Sequence, residues 1–245
     1  MGTLSGHYTS VDQITGPSGF YNIYTSEGFV CVYVDQEYDG GGWAMVLANR
    51  GGTAGMNNLK YDDAINKSNY RTEPSSDGST NTTHGVNPSL TRLGLSNVNA
   101  FIGLKYWFDL AGRESTGKVT IVQFVSTTHG TPLGTTGSHT KRYRWAFDGW
   151  GTGYSFNNSY VVSDETGTGS PGFYNYHSKS SRKLTTYDND QDSNGGNCST
   201  YYNNNPFWYG SCWSGNYFAG GGYADRPYWN SSGGDNHQYG AVYIK

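Results

Sequence analysis

The sequence predicts a β-rich fold with long ordered loops and few long helices. Composition is the first reason, because the 245 residues include 36 Gly and 22 Tyr, and Gly, Asn and aromatic residues are poor helix formers. Apolar segments bounded by turn residues near the N-terminus are the second reason. The third is the absence of a heptad pattern or long-period repeat. One domain, or two closely joined lobes, suits this length.

Three strands are expected in the N-terminal part of the chain. Residues 18–24 and 29–34 are rich in aromatic and β-branched residues, which favour strands. The glycine-rich stretch 39–43 predicts a turn, and 44–48 then reads as a buried strand.

The middle of the chain is more mixed. Residues 51–96 are polar and turn-rich and predict an irregular insertion, with one short helix at 61–66. Beyond Asp188 almost nothing is periodic, so that stretch is expected to lack regular strands and helices. Three further strands are expected, the first two paired across a turn at 111–113: 100–110, 118–126 and 142–147.

Charge and hydropathy exclude several classes of partner. The formal net charge is -3, and no basic patch predicts binding to nucleic acid. No apolar run approaches the roughly 18 residues needed to cross a bilayer. Residues 1–10 lack the basic start and apolar stretch of a signal peptide.

Three carboxylates stand at alternate positions in one polar loop, at Asp188, Asp190 and Asp192. This spacing can aim several oxygens at one Ca²⁺ ion, which would offset the repulsion between them. An EF-hand is excluded because the twelfth position would be Tyr201 or Ser199 rather than Glu. A metal-free acidic turn remains the alternative.

The chain has three cysteines. Cys198 and Cys212 enclose thirteen residues, and a disulfide between them would contribute roughly 3 kcal/mol in the chain-entropy model. Two reduced thiols or half of a zinc site are the alternatives. Cys31 lies in an apolar strand and is expected to be a buried thiol.

Several motifs, in order, resemble those of fibrinogen-like recognition domains, the family that includes the fibrinogen C-terminal, ficolin and tachylectin types. The order and spacing hold across most of the chain, although residues 51–96 match poorly. The motifs are SGFYNI at 18–23, DGGGW at 39–43, FYNYH at 173–177, KLTTYDND at 183–190, FWYGSC at 207–212 and YFAGGGY at 217–223.

The resemblance implies an α+β, β-rich fold with a central mixed or antiparallel sheet and few short helices. It also implies a loop-rich, Ca²⁺-binding C-terminal subdomain. The expected organisation is a single domain over 1–245, with an N-terminal subdomain at about 1–50, a central sheet at 51–180 and the loop-rich subdomain at 181–245.

The resemblance also implies the metal ligands. They fall on the side chains of Asp190 and Asp192 and on the backbone carbonyls of Asn194 and Gly196. Asp188 would orient the loop without binding the ion.

The ligand pocket implied by the resemblance lies beside the metal. The backbone N–H groups of Cys212 and Trp213 would receive an acetyl oxygen or carboxylate, and a cis peptide is implied between Ser211 and Cys212. The family commonly has His where this chain has Trp213, which adds an apolar stacking face. A Cys198–Cys212 disulfide completes the resemblance. The expected aromatic walls are Tyr202, Tyr209, Tyr217, Tyr228 and Trp229.

The predicted function is a Ca²⁺-stabilised, non-catalytic, extracellular recognition module that binds glycans or acetylated groups on cell surfaces. The alternative is the receptor-binding tip of a phage tail fibre or other fibre, an adhesin that acts as a trimer. Catalysis is not expected, because carboxylate pairs such as Asp164 with Glu165, or Asp225 with Asp235, lie in no recognisable catalytic setting.

Overall fold

A ten-stranded antiparallel sheet is the frame of the chain in its computed structural model. The aromatic and β-branched residues that predict strands supply this sheet. The structure describes residues 7–49, 57–68, 70–74, 80–82, 99–112, 118–126, 133–135, 140–158, 160–163, 182–212 and 239–245.

The first three strands confirm the sequence prediction. β1 is Gly19–Thr25, β2 is Gly28–Asp35 and β3 is Trp43–Asn49, and β1 pairs with β2 along its whole length. The turn before β3 is made by residues 40–42, three glycines with φ of 77°, 76° and 74°. Only glycine adopts this left-handed conformation without steric cost, so the turn depends on these residues.

The segment 51–96 contains regular structure as well as loops. The predicted helix is present as α1, Tyr61–Asn66. Two short strands follow, β4 at Tyr70–Pro74 and β5 at Thr80–Thr82.

The predicted strand at 100–110 is wrong for most of its length. Only β6, Asn99–Phe101, is extended, and a 3₁₀ turn then leads into the helical turn α2, Trp107–Leu110. The Trp107 indole is buried and donates to the Ile102 carbonyl at 2.8 Å. Helical winding therefore carries the ring into the core, where an aromatic-rich sequence had indicated a strand.

The next two predicted strands are confirmed, although not the hairpin across 111–113. β7 is Val119–Ser126 and β8 is Thr140–Phe147, and these two strands pair with each other rather than with β6. β11, Tyr160–Ser163, adds to the outer edge of β8. A separate two-stranded sheet joins β9, Gly149–Trp150, to β10, Phe156–Asn157.

The expectation that the chain beyond Asp188 lacks regular structure is also wrong. A helical turn, α3, spans Cys198–Tyr201, and the last strand, β12, spans Tyr239–Ile244. β12 pairs with β3 on one side and with β7 on the other. β12 forms here because burial of its apolar side chains is favourable: residues 241–244 are all buried, and they contribute to both faces of the sheet.

The strand order is β11-β8-β7-β12-β3-β6-β4-β5. β2 and β6 pair with the same edge of β3, at different positions along it, and β1 pairs with β2. Buried side chains cover both faces. Val46, Ile121 and Ile244 belong to the larger core, whereas Met45 and Phe124 belong to the smaller core on the opposite side. No helix in the described part of the chain is long and apolar enough to span a bilayer.

The larger core extends beyond the sheet into the segment 182–212. Leu184, Cys198, Phe207 and Trp208 are buried in the same cluster as the sheet residues. The loops that carry the predicted site therefore rest directly on the sheet.

Candidate functional site

Two neighbouring stretches carry the predicted site. We call residues 187–197 the acidic loop and residues 207–212 the aromatic segment. Thr185 and Phe207 exchange two backbone hydrogen bonds, of 2.8 and 3.0 Å, and Ser193 N–H donates to the Gly210 carbonyl at 2.9 Å. The acidic loop is thereby fixed against the aromatic segment by backbone pairing.

The Asp188 carboxylate anchors the start of the acidic loop. Its Oδ1 accepts from the Thr186 hydroxyl at 2.7 Å and from the backbone N–H of Tyr61 at 3.0 Å. Tyr61 is the first residue of α1, so this contact joins parts of the chain that are 127 residues apart. The geometry suits the orienting role predicted for Asp188.

Asp192 shapes the centre of the acidic loop. One carboxylate oxygen accepts from Asn194 N–H at 2.8 Å and the other from Cys198 N–H at 2.9 Å. Asp190 is exposed, and its Oδ1 accepts from Asp192 N–H at 3.3 Å. Asp192 is thus committed to the local fold, whereas Asp190 presents its carboxylate to solvent.

The residues predicted to hold Ca²⁺ have suitable donor chemistry. Ca²⁺ prefers oxygen ligands, including carboxylates and backbone carbonyls. In the described part of the chain, the carbonyls of Asn194 and Gly196 accept none of the backbone hydrogen bonds outside regular elements, and both residues are exposed. The same part of the chain holds no group of three His, Cys, Asp or Glu side chains arranged for a metal. The predicted set uses only two side chains, those of Asp190 and Asp192, and their carboxylates are donors of the type that Ca²⁺ prefers.

The predicted disulfide is confirmed. Cys198 and Cys212 are bonded, with an S–S distance of 2.10 Å and Cα atoms 5.1 Å apart. The alternatives of two reduced thiols or half of a zinc site are therefore excluded. Cys31 is a buried thiol in β2.

α3 begins directly after the acidic loop because Asn197 caps it. The Asn197 Oδ1 accepts from Thr200 N–H at 3.1 Å, and its Nδ2 donates to the Thr186 carbonyl at 2.9 Å. Capping by a side-chain oxygen satisfies an N–H that the helix leaves unpaired. The same residue therefore starts the helix and closes the acidic loop.

The backbone at Cys212 differs from the prediction. The described peptide bonds include no cis bond, so the cis bond expected between Ser211 and Cys212 is wrong. The chain turns there through a positive φ of 37° at Cys212 instead. The Cys212 N–H donates to the Cys198 Sγ at 3.0 Å.

The two predicted wall tyrosines that the structure describes lie together. The rings of Tyr202 and Tyr209 stack at 5.8 Å, and the buried Tyr209 donates its hydroxyl to the Asn205 carbonyl at 3.1 Å. Tyr201 packs edge-on against Tyr202 at 5.1 Å and is 76% exposed. The sequence analysis did not select Tyr201, because the exposure of one particular tyrosine cannot be predicted in a Tyr-rich chain. The other predicted pocket residues lie outside the described residues: Trp213, Tyr217, Tyr228 and Trp229.

A tryptophan and a tyrosine connect the aromatic segment to the neighbouring loops. The Trp208 indole donates to the Tyr154 carbonyl at 2.7 Å, and Tyr154 itself has a positive φ of 55°. Burial, followed by the neighbouring Tyr61, raises the pKa of Tyr154 above its ordinary value. The ring itself packs against the larger core.

Comparison with known proteins gives a match in structure. No protein-family model matches the sequence, and a search of curated proteins gives no match. The fibrinogen-like globe domain of human ANGPTL6 matches with a TM-score of 0.59 and 18% identity, covering 100% of this chain and 98% of that chain. That of human ANGPTL2 matches with a TM-score of 0.58 and 17% identity, covering 97% and 98%.

A lamprey fibrin D-dimer, complexed with the peptide ligand Gly-His-Arg-Pro-amide, also matches. Its TM-score is 0.66 at 14% identity, and the match covers 99% of this chain and 74% of that chain. The likeness at these identities is one of fold, and it confirms the predicted β-rich architecture with few short helices. The chain therefore has the fold of a fibrinogen-like domain.

Proposed function

We propose that the chain is a Ca²⁺-stabilised, non-catalytic recognition module that binds glycans or acetylated groups outside the cell. The observation that carries this proposal is the attachment of the acidic loop to the aromatic segment, through the Ser193–Gly210 backbone bond and through the disulfide from Cys198, which directly follows the loop, to Cys212. A disulfide also suits an oxidising, extracellular setting.

Calcium has a supporting role in this proposal. Asp190 and Asp192 would hold the ion together with the carbonyls of Asn194 and Gly196, and the positive charge would offset the repulsion between the carboxylates. Asp188 is already engaged with α1, so it would hold the loop in position. Fixing the loop would in turn fix the aromatic segment that faces the ligand.

The proposed ligand surface combines aromatic rings with backbone donors. Tyr201, which packs edge-on against Tyr202, is largely exposed, and an exposed aromatic ring can stack on the face of a sugar. The Cys212 N–H is satisfied by the Cys198 Sγ, a weak acceptor. An acetyl or carboxylate oxygen would replace that sulfur as a stronger partner. The peptide bound by the lamprey fibrin D-dimer is a precedent for ligand binding on this fold.

Thermal unfolding with Ca²⁺ or EDTA, repeated over a small panel of sugars, tests metal and ligand together. A ligand that binds only the folded state raises the unfolding temperature. At a ligand concentration one hundred times Kd, it adds about 2.7 kcal/mol to the free energy of unfolding. We expect Ca²⁺ to raise the midpoint and an N-acetylated sugar to raise it further. The same sugar without its acetyl group is the matched control.

The Asp190→Ala variant tests whether this residue affects ligand binding indirectly, by ordering the acidic loop, or by touching the ligand. We expect it to weaken sugar binding through the loss of loop order, since Asp190 belongs to the metal set and not to the ligand surface. Sugar binding that is unchanged in EDTA would contradict this indirect role of the metal.

The thermal-unfolding experiment has two outcomes that contradict the proposal. If Ca²⁺ does not shift the unfolding midpoint, the calcium role is wrong; if no sugar shifts it, the proposed ligand class is wrong.

The fibre-tip adhesin remains the alternative. It requires a trimer, because several weak sites on one assembly bind a surface far more tightly than one site does. Sedimentation of the intact protein distinguishes the two, since a monodisperse monomer would count against the fibre tip.

A further inference from the structure

The acidic loop contains a chemically reactive pair of residues. Asn194 is followed by Gly195, and this is the single Asn-Gly pair in the sequence. Glycine has no side chain to shield its backbone nitrogen, so that nitrogen can approach the preceding amide. We propose that Asn194 is a site of spontaneous deamidation that converts the acidic loop into a more negatively charged form.

The reaction needs only the chain and water. The Gly195 backbone nitrogen loses its proton and bonds to the Asn194 Cγ, the Cγ–Nδ2 bond breaks, and ammonia leaves with that proton. The product is a five-membered succinimide. Water then opens either carbonyl, which gives aspartate or, with the main chain routed through the former side chain, isoaspartate.

The fold places the reacting groups together and leaves them accessible. The Gly195 N–H donates to the Asn194 Oδ1 at 2.9 Å, so the side-chain amide lies next to the nitrogen that attacks it. Asn194, Gly195 and Gly196 are all exposed. A Cβ at Gly195 or Gly196 would meet no atom within 4 Å, so the surroundings leave room for ring closure.

Asn197 is an internal comparison three residues along the chain. Its amide is held at both ends, because the Oδ1 accepts from Thr200 N–H and the Nδ2 donates to the Thr186 carbonyl. The residue that follows it is the disulfide-bonded Cys198, whose backbone N–H donates to Asp192. Asn197 is therefore half-buried and bound to backbone groups at both ends of its amide, whereas Asn194 is exposed and its amide bonds to Gly195 N–H and to the Cys212 sulfur.

Conversion of Asn194 changes the surroundings of the disulfide. The Asn194 Nδ2 donates to the Cys212 Sγ at 2.8 Å, and this donor leaves as ammonia. A carboxylate replaces it, beside Asp190 and Asp192. The isoaspartate product also adds a methylene to the main chain and moves the carbonyl of residue 194, which would weaken Ca²⁺ binding; this last consequence rests on the proposed function.

The test follows the mass of the peptide that contains residue 194 while the folded protein stands at neutral pH in EDTA. We expect Asn194 to convert about tenfold faster than Asn197, a difference of about 1.4 kcal/mol in activation free energy. Labelling by an isoaspartate-specific methyltransferase should detect the second product.

The control variant is Gly195→Ala, which slows attack by shielding the nitrogen. Its methyl group meets open space, and Gly195 has no left-handed φ, so the variant should fold normally. The proposal is overturned if Asn194 stays intact in the folded protein while the same stretch converts in an unfolded peptide, or if it converts no faster than Asn197. Because the readout is mass, a failure of Ca²⁺ binding would leave this result unaffected.

Discussion

Asp190 and Asp192 have the same side chain but different partners. The Asp192 carboxylate receives the N–H groups of Asn194 and Cys198, and hydrogen bonds to a charged acceptor are worth roughly 1.5–3 kcal/mol. We expect Asp192→Ala to lower the free energy of unfolding by about 2 kcal/mol even in EDTA. We expect Asp190→Ala to change it by less than about 0.5 kcal/mol in EDTA, and to abolish the proposed stabilisation by Ca²⁺.

Denaturant unfolding of both variants, each in EDTA and in Ca²⁺, measures these differences. Wild-type protein under the same two conditions is the reference. Equal losses for the two variants in EDTA would show that Asp190 also supports the local fold. A retained Ca²⁺ response in Asp190→Ala would remove this residue from the metal set.

Residue patterns predicted local features of the candidate site whose residues are close together in sequence. The acidic loop, its alternating carboxylates and the Cys198–Cys212 pair are all read within one stretch of chain. The contact between Asp188 and Tyr61 was not predictable, because the two residues are 127 positions apart and neither has a partner-specific pattern. Exposure of Tyr201 likewise depends on packing that a single sequence does not reveal.

Among the described elements, β12 is a central strand of the sheet, because it lies between β3 and β7. Ile244 is fully buried and faces Ala44 on one side and Ile121 on the other. We expect Ile244→Val to cost about 1 kcal/mol and Ile244→Ala about 3 kcal/mol, since the larger truncation leaves a larger cavity.

Urea unfolding of the two variants gives these free energies directly. The graded pair is its own control, because both substitutions keep the backbone pairing of β12. A loss below about 0.5 kcal/mol for Ile244→Ala would be typical of a surface position and would contradict the central place of this strand.

Elements were predictable where local pattern and final environment agree. β1, β2 and β3 combine strand-forming residues with clear turns, and the structure contains them as predicted. α2 was missed because Trp107 and its apolar neighbours resemble a strand, while their burial is achieved by a helical turn. β12 was missed because its apolar residues are few and follow a long polar stretch, so its place depends entirely on β3 and β7.

At the scale of the whole molecule, the predicted site and the sheet share one core. Leu184, Phe207 and Trp208, from the segment that carries the site, are buried in the same cluster as Ile121 and Ile244 of the sheet. A shared core makes unfolding cooperative, because neither part can open without exposing apolar surface of the other.

This cooperativity gives a prediction for the disulfide. The Cys198–Cys212 bond closes a short loop, with a sequence separation of 14, and such a loop restricts the unfolded chain by roughly 3 kcal/mol. We expect the Cys198→Ala/Cys212→Ala double variant to lose about this amount in a single transition, so that the midpoint falls for the sheet and the site together. The Cys31→Ala variant, which removes a buried thiol in β2 without touching the bond, is the control.

Calorimetry and hydrogen exchange of the double variant decide between shared and separate unfolding. One transition at a lower temperature, with amides of β7 and of the aromatic segment losing protection in parallel, is the expected result. Two transitions, with β7 unchanged, would mean that the segment 182–212 opens by itself and that the sheet does not depend on it. In that case removal of the proposed Ca²⁺ ion would also act locally, and the thermal midpoint of the sheet would not report on the metal. The single core favours the first outcome, because Leu184, Phe207 and Trp208, which flank the acidic loop and the disulfide in sequence, are buried in the same cluster as the sheet residues.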